Sequence, residues 1–251
     1  VSFTETPSWA ADNQFITAGY RRTTYSYLGC IRSLSFLHNE TMNILTHGFG
    51  ALMFIGICWM GVGGDGWAVA PFYVGAVTCL GLSTTFHLCS CHSQRVSVMW
   101  NLCDYVGIVT LIVGSLIPSV YYGFYCHPTL QTIYLTIISV LGIATIGVTV
   151  SPQFTGPEYR SLRTTLFILL GGSGVFPLLH ANFLYGPTVA RNALSSVHMI
   201  ITGLTYVTGA LIYAWRLPER LAPGRFNIFG HSHQVFHCFV VAAALVHHHG
   251  V

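Results

Sequence analysis

Seven apolar runs dominate this sequence, and each is about as long as a helix that crosses a lipid bilayer. Such a helix needs about 20 mostly apolar residues, because it rises 1.5 Å per residue through roughly 30 Å of hydrocarbon. The runs cover residues 41–61, 67–88, 98–123, 129–149, 163–183, 193–215 and 229–250. The pattern predicts an all-α membrane protein built as a seven-transmembrane helix bundle.

The composition supports a membrane environment. Of the 251 residues, 53% are apolar and only 7% are charged, whereas a soluble domain carries about 25% charged residues. So few charges could not cover a water-exposed surface, so we exclude a soluble domain and expect no nucleic-acid partner. The predicted location is an integral, multi-pass position in either the plasma membrane or an internal membrane.

Two regions are predicted along the chain. Residues 1–37 form a polar lead-in, interpreted as an N-terminal cytoplasmic or interfacial segment with a short interfacial helix, and residues 38–251 form the seven-transmembrane domain. Glycine-rich or proline-containing breaks separate the runs, beginning with GVGGDG at 61–66.

The arginines predict the orientation in the membrane. All 10 cationic residues are arginines, and only Arg191 lies on the side opposite the N-terminus. The other nine are Arg21, Arg22, Arg32, Arg95, Arg160, Arg163, Arg216, Arg220 and Arg225. Because cytoplasmic loops are enriched in positive charge, the N-terminus is predicted to be cytoplasmic and the C-terminus extracellular or lumenal. This orientation is the reverse of G-protein-coupled receptors, and the absence of lysine excludes a retinal Schiff base.

Ionisable residues inside these runs are candidates for function, because a charge at the bilayer centre costs about 2.5–3.5 kcal/mol on insertion scales. They are His47, His87, Asp104, His180, His198, His233 and His237. The predicted topology brings His87, Asp104, His233 and His237 to one level near the cytoplasmic boundary. His180 and His198 fall at the opposite ends of their runs.

The spacing of these residues favours a metal site. His233 and His237 are four residues apart and share one helix face, as two zinc ligands on one helix do. His87 would complete three ligands and leave a fourth position for water, which Asp104 could orient. Ser83 lies one turn before His87 on the same face. The alternative is that the three histidines pack separately and bind no metal, because the spacing alone does not distinguish the two arrangements.

Several motifs resemble those of the progestin and adipoQ receptor family, which includes the adiponectin receptors and is related to hemolysin III proteins. They are SFLHNETMNILTHGFG at 35–50, STTFHLCSCHSQRVSVMWNLCDYVGI at 83–108, GSLIPSVYYGFYC at 114–126 and HSHQVFHCFVVAAALVHHHGV at 231–251. The resemblance implies seven helices, a cytoplasmic N-terminus and Zn²⁺ held by His87, His233 and His237. It places the family's aspartate on Asp104 and its serine on Ser83.

The motif HNETxNxxTH at 38–47 is interpreted as the polar start of the first run. Asn39 or Thr41 can cap the helix there. We expect a structural role for this motif, with His47 lining a cytoplasmic cavity.

Three functions remain open. The first is a zinc-dependent hydrolase of a lipid amide, with Asp104 and Ser83 as catalytic residues and membrane lipids, ceramide or a sphingolipid-like molecule, as the substrate class that the resemblance implies. The second is a signalling receptor with purely structural zinc and an extracellular protein or steroid ligand. The third is a protein of zinc or lipid homeostasis without hydrolase activity.

Glycines at 171, 172 and 174 allow close helix contact within the bundle, which we favour, or within a homo-oligomer.

Overall fold

Helices account for almost all of the regular structure in the computed structural model, which describes residues 1–61 and 66–250. They are α1 (Tyr27–Arg32), α2 (Thr41–Gly61), α3 (Ala70–Cys89), α4 (Gln94–Gly123), α5 (Pro128–Thr149), α6 (Arg160–Gly172), α7 (Val175–Tyr185), α8 (Pro187–Ala193), α9 (Ser196–Trp215) and α10 (Ser232–Gly250). Short 3₁₀ turns follow α1 and precede α6.

Six segments of the described chain are long and apolar enough to cross a membrane. They are Thr41–Met60, Ala70–Cys89, Gln94–Gly123, Pro128–Thr149, Arg160–Tyr185 and Ser196–Trp215. These confirm six of the predicted runs as apolar helical segments. The seventh run is also helical, but α10 is more polar because 5 of its 19 residues are histidines.

The helix boundaries differ from the prediction in several places; α3 begins at Ala70 rather than 67, and α4 begins at Gln94 rather than 98. The run 163–183 is two helices, because a turn at Ser173 and Gly174 separates α6 from α7; the GGSG sequence there is a poor helix former. Ser195 has a φ of 50°, so α9 begins at Ser196 rather than 193. The last helix begins at Ser232 rather than 229. The predicted break at 61–66 falls mostly on residues 62–65, which lie outside the described residues.

Large apolar side chains point outward from the bundle. Trp59 is 91% exposed and Phe183 is 94% exposed. A surface of this kind is unfavourable in water but suits contact with lipid acyl chains, as expected from the composition.

The interior contains two apolar clusters that share α4. The first joins α2, α3, α4 and α10, and includes Phe54, Phe72, Leu111 and Val240. The second joins α4, α5, α7 and α8 around Phe124. Helix α10 is therefore packed into the core despite its histidines, and its first turns lie beside α2 and α3.

Helices α3 and α4 run antiparallel and approach closely at glycines. A Cβ on Gly75 would lie 2.8 Å from the Thr110 carbonyl oxygen, and a Cβ on Gly107 would lie 2.9 Å from the Cα of Cys79. No side chain fits at these positions without moving a backbone. The close contact fixes the register of the two helices, and thereby places the end of α3 beside the first half of α4.

We expect Gly75→Ala to destabilise the protein by about 1–3 kcal/mol, the usual effect of overpacking. Gly81→Ala is the matched control, because it lies in the same helix and its Cβ would meet nothing within 4 Å. Thermal unfolding in detergent, followed by far-UV circular dichroism, compares the two variants. Equal unfolding midpoints would contradict the close packing.

Candidate metal centre

Three imidazole rings converge where α3 ends and α10 begins. His87 lies in the last turn of α3, and His233 and His237 lie on successive turns of α10. Each of the three offers one ligand atom, and these atoms lie within 4.8 Å of one another. The ring centroids are 4.8 Å apart for His87 and each of the other two, and 4.9 Å apart for His233 and His237. The rings therefore face one common point.

The outer nitrogens of two rings have protein partners. His87 Nδ1 lies 2.6 Å from Glu40 Oε2, and His237 Nδ1 lies 3.2 Å from the Asn43 carbonyl oxygen. A carbonyl oxygen only accepts hydrogen bonds, so His237 Nδ1 carries the proton and Nε2 keeps a lone pair. Among the described residues, the buried Nε2 of His87 has no hydrogen-bond partner.

This geometry fits a metal ion. Imidazole nitrogens are common ligands of zinc and other transition metals. A metal-binding histidine usually donates its other ring N–H to a carboxylate or carbonyl, as Glu40 and Asn43 allow here. The unpartnered His87 Nε2 is the atom that a metal would satisfy, so the cluster of His87, His233 and His237 can hold one.

Asp104 and Ser83 lie beside this cluster. Both side chains are buried, at 8% and 1% exposure, and the Ser83 hydroxyl is a hydrogen-bonding neighbour of the Asp104 carboxyl group. In the part of the chain that the structure describes, the group of ligand atoms within 4.8 Å of one another does not include Asp104. The carboxyl group is thus placed next to the cluster rather than within it.

The other intramembrane histidines have separate surroundings. His180 Nδ1 is 2.9 Å from the Tyr134 hydroxyl, which connects α7 to α5. His198 lies against Gly250 at the far end of α10. His231 Nε2 donates to the Asn39 carbonyl oxygen at 3.0 Å, so this histidine holds the loop before α10 against the start of α2.

The start of α2 is more closely involved in the site than the sequence indicated. Glu40 and Asn43 contact two of the three histidines, and the His47 ring stacks on His237 with centroids 3.6 Å apart. The sequence pattern of this motif predicts only a polar helix start. The available signal was Glu40 itself, since an acid at the edge of an apolar run needs a nearby donor.

Burial and nearby charges set the protonation states of His38 and Glu40, which lie just before α2. Burial and the charge of Arg21 together lower the pKa of His38 to about 4. His38 is therefore neutral, and its Nδ1 accepts the Glu40 backbone N–H at 3.1 Å. Burial raises the pKa of Glu40, but the charge and hydrogen bond of His87 outweigh burial and hold the pKa well below its ordinary value. Glu40 is thus a carboxylate.

Arg21 fixes the end of α3 that carries His87. Its guanidinium donates to the carbonyl oxygens of His87 at 2.5 Å and Leu88 at 2.9 Å, and the residue is only 7% exposed. A cation at a helix C-terminus satisfies free carbonyls and complements the helix dipole. The lead-in segment is therefore anchored directly behind the metal centre.

A cavity of about 40 Å³ adjoins the cluster. His233 and Glu40 line one part of it, and Asp12 and Arg160 line another. The cavity is large enough for a few water molecules, because one water molecule needs a cavity of about 10–15 Å³. Water can therefore occupy the space beside the candidate ligands.

Comparison with known proteins assigns the chain to a family. The sequence pattern of the haemolysin-III related family matches residues 35–248. The chain belongs to the haemolysin-III related family. This confirms the resemblance drawn from the motifs, and the haemolysin-III related protein described here is a multi-pass membrane protein.

Three similar proteins show how broadly the haemolysin-III related sequence is shared. The adiponectin receptor protein of Drosophila melanogaster is 41% identical over 98% of this chain and 57% of its own length. The ADIPOR-like receptor IZH2 of Saccharomyces cerevisiae is 35% identical over 100% of this chain and 82% of its own length. The heptahelical transmembrane protein ADIPOR3 of Oryza sativa is 44% identical over 73% of this chain and 45% of its own length. The chain therefore spans only about half the length of the fly and rice relatives.

If the three histidines bind one ion, chelation should lower the unfolding temperature of the haemolysin-III related protein, because the site joins α3 to α10. His237→Ala should abolish that dependence together with stoichiometric metal content. His249→Ala is the control, because it changes an exposed histidine of the same helix. Metal analysis and thermal unfolding with and without chelator test this. Full metal content in His237→Ala would contradict the site.

Proposed function

We propose that this protein is a zinc-dependent hydrolase of lipid amides, with ceramide or a related sphingolipid as its substrate class. The observation that carries the proposal is the convergence of three histidines, of which His87 and His237 are buried, beside a buried carboxyl group and hydroxyl. Three protein ligands are typical of catalytic zinc, whereas structural zinc usually has four. A hydrolytic site needs that free position.

The metal and the protein residues would divide the chemistry. A bound zinc ion would supply Lewis-acid activation of water and of the amide carbonyl. Asp104 would accept a proton from the attacking water and deliver it to the leaving nitrogen as the C–N bond breaks. Ser83 would orient Asp104 by donating to its carboxylate, and it would be free to donate to the developing oxyanion once Asp104 has taken the proton. The products would be a sphingoid base and a fatty acid.

The proposed orientation places this site for an amide near a lipid headgroup. All seven helical segments would cross the membrane, with the N-terminus in the cytoplasm and the C-terminus outside or in the lumen. The arginine distribution supports this arrangement. The cluster would then lie just inside the cytoplasmic boundary of the hydrocarbon, and the adjoining cavity would supply water from that side.

A receptor with structural zinc is the second candidate, and the names of the fly and yeast relatives favour it. The ion would clamp α3 to α10, and an extracellular protein or steroid would shift the helices. The two functions are compatible, since ligand binding could control hydrolysis. A homo-oligomer belongs to the same proposal, and Gly172, whose Cβ position meets nothing within 4 Å, leaves room there for a second copy.

Asp104→Asn should lower ceramide hydrolysis by about 10²–10⁴-fold, the usual contribution of a general acid or base. Zinc content should stay at the wild-type level, because Asp104 lies outside the ligand cluster. The assay is mass-spectrometric detection of sphingoid base released by the purified protein. Glu5→Gln, a change at an exposed carboxylate, is the control. Parent-rate hydrolysis by zinc-free His237→Ala would refute the mechanism.

The proposed orientation predicts that Cys126 faces the lumen or the outside. Cys126 is exposed in the turn between α4 and α5. A membrane-impermeant maleimide should leave it unlabelled in sealed microsomes, whose cytoplasmic face points outward, and label it after permeabilisation. Cys126→Ala identifies the signal from this residue. Labelling of Cys126 in sealed microsomes would reverse the assigned orientation.

A further inference from the structure

One carboxylate at the start of α2 is held by several donors. Glu40 Oε2 lies 2.6 Å from His87 Nδ1 and accepts a hydrogen bond from Asn43 Nδ2, also at 2.6 Å. The other oxygen, Oε1, accepts from Asn39 Nδ2 at 3.3 Å. The backbone of Glu40 is fixed by its bond to His38. The carboxylate has little freedom to leave His87.

This contact decides which nitrogen His87 can present to a metal. Glu40 Oε2 already accepts from Asn43 Nδ2 and lies 2.6 Å from His87 Nδ1, so this oxygen acts as the acceptor and the proton of the contact lies on His87 Nδ1. The lone pair then lies on Nε2, the buried atom without a partner among the described residues. Without Glu40, the proton could move to Nε2 and block that position.

The same turn of α2 acts on a second histidine. The Asn43 side chain orients Glu40, while the Asn43 carbonyl oxygen lies 3.2 Å from His237 Nδ1. One helical turn therefore contacts rings from both α3 and α10. It supplies none of the three candidate ligands, yet it sets the tautomer of two of them.

We infer that Glu40 is a positioning residue of the metal centre, which holds His87 in the tautomer and orientation that present Nε2 to the ion. The inference rests on the metal site of the proposed function and not on the hydrolysis of any substrate. It gives the HNETxN motif a role in metal affinity in addition to its place at the start of a helix. Outer-shell partners of metal-binding histidines commonly act in this way.

The first test is the zinc affinity of Glu40→Gln in the full-length protein. Glutamine keeps the shape of the side chain but can turn its NH₂ group toward His87 and favour the wrong tautomer. We expect zinc binding to weaken by about 10- to 100-fold, the usual effect of losing such a partner. Competition with a chromophoric chelator measures the dissociation constant. Glu158→Gln, at an exposed carboxylate, is the matched control and should bind zinc like the parent.

A second measurement separates positioning from folding. Relative to the parent, Glu40→Gln should lose more thermal stability with zinc bound than with zinc removed, whereas a merely structural role would destabilise both forms equally. Substitution with Co²⁺ gives a spectroscopic signature, since altered ligation by His87 should change the visible d–d bands. A wild-type spectrum in Glu40→Gln would overturn the inference.

Asn43→Ala provides an independent variant if Glu40→Gln does not fold. It removes the hydrogen bond that orients the Glu40 carboxylate but retains the backbone carbonyl at His237. We expect a loss of about 2- to 10-fold in zinc affinity, equivalent to one ordinary hydrogen bond. Unchanged zinc affinity in the folded variants would overturn the role of Glu40.

The outcomes also separate this inference from the proposed function. Weakened zinc binding in Glu40→Gln, combined with no ceramide hydrolysis by the parent protein, would support Glu40 and reject the hydrolase. Normal zinc binding in Glu40→Gln with active parent protein would reject Glu40 alone. A parent protein that binds no zinc would reject both.

Discussion

The burial of imidazole groups in an apolar bundle is the constraint on which this structure depends. A polar atom without a partner in such surroundings costs several kcal/mol. Glu40 and the carbonyl of Asn43 satisfy the Nδ1 atoms of His87 and His237, and the remaining nitrogens face a common point. An ion at that point would bind the ring nitrogens for which the protein provides no partner. A bound ion would therefore satisfy the ring nitrogens of this cluster as well as provide a candidate site of chemistry.

The surrounding helices hold this arrangement from several directions. Close glycine contacts fix α3 against α4, which brings Ser83 beside Asp104. Apolar residues of α10 pack into the same core, and Arg21 of the lead-in segment closes the end of α3. A small shift of one of these helices would change the distances between the candidate ligands on α3 and those on α10. The site and the packing of the bundle are consequently coupled, which is the physical basis on which a receptor function and a hydrolase function can share one structure.

In the proposed orientation, the cluster would suit the proposed reaction at a lipid headgroup better than one deep in the hydrocarbon. The adjoining cavity links His233 and Glu40 to Asp12 and Arg160, which are polar groups of the surface segments. Water could thus approach the histidine cluster through the cavity, while a lipid could approach it from the membrane. Glu40, just before α2, lines the cavity and also contacts His87.

The sequence by itself determined the membrane character, the approximate positions of the apolar helices and the three histidines that the structure brings together; the catalytic roles of Asp104 and Ser83 stay predictions. Helix length, hydropathy and i, i+4 spacing are local properties, and ionisable residues are rare enough in such runs to stand out. Only the tertiary structure decided that Glu40 contacts a histidine 47 positions away and that Asn43 contacts one 194 positions away. Those contacts depend on how each helix is rotated and how deeply it packs, which hydropathy does not encode. The same reason applies to the stacking of His47 on His237, because two rings meet only after α2 and α10 are packed together.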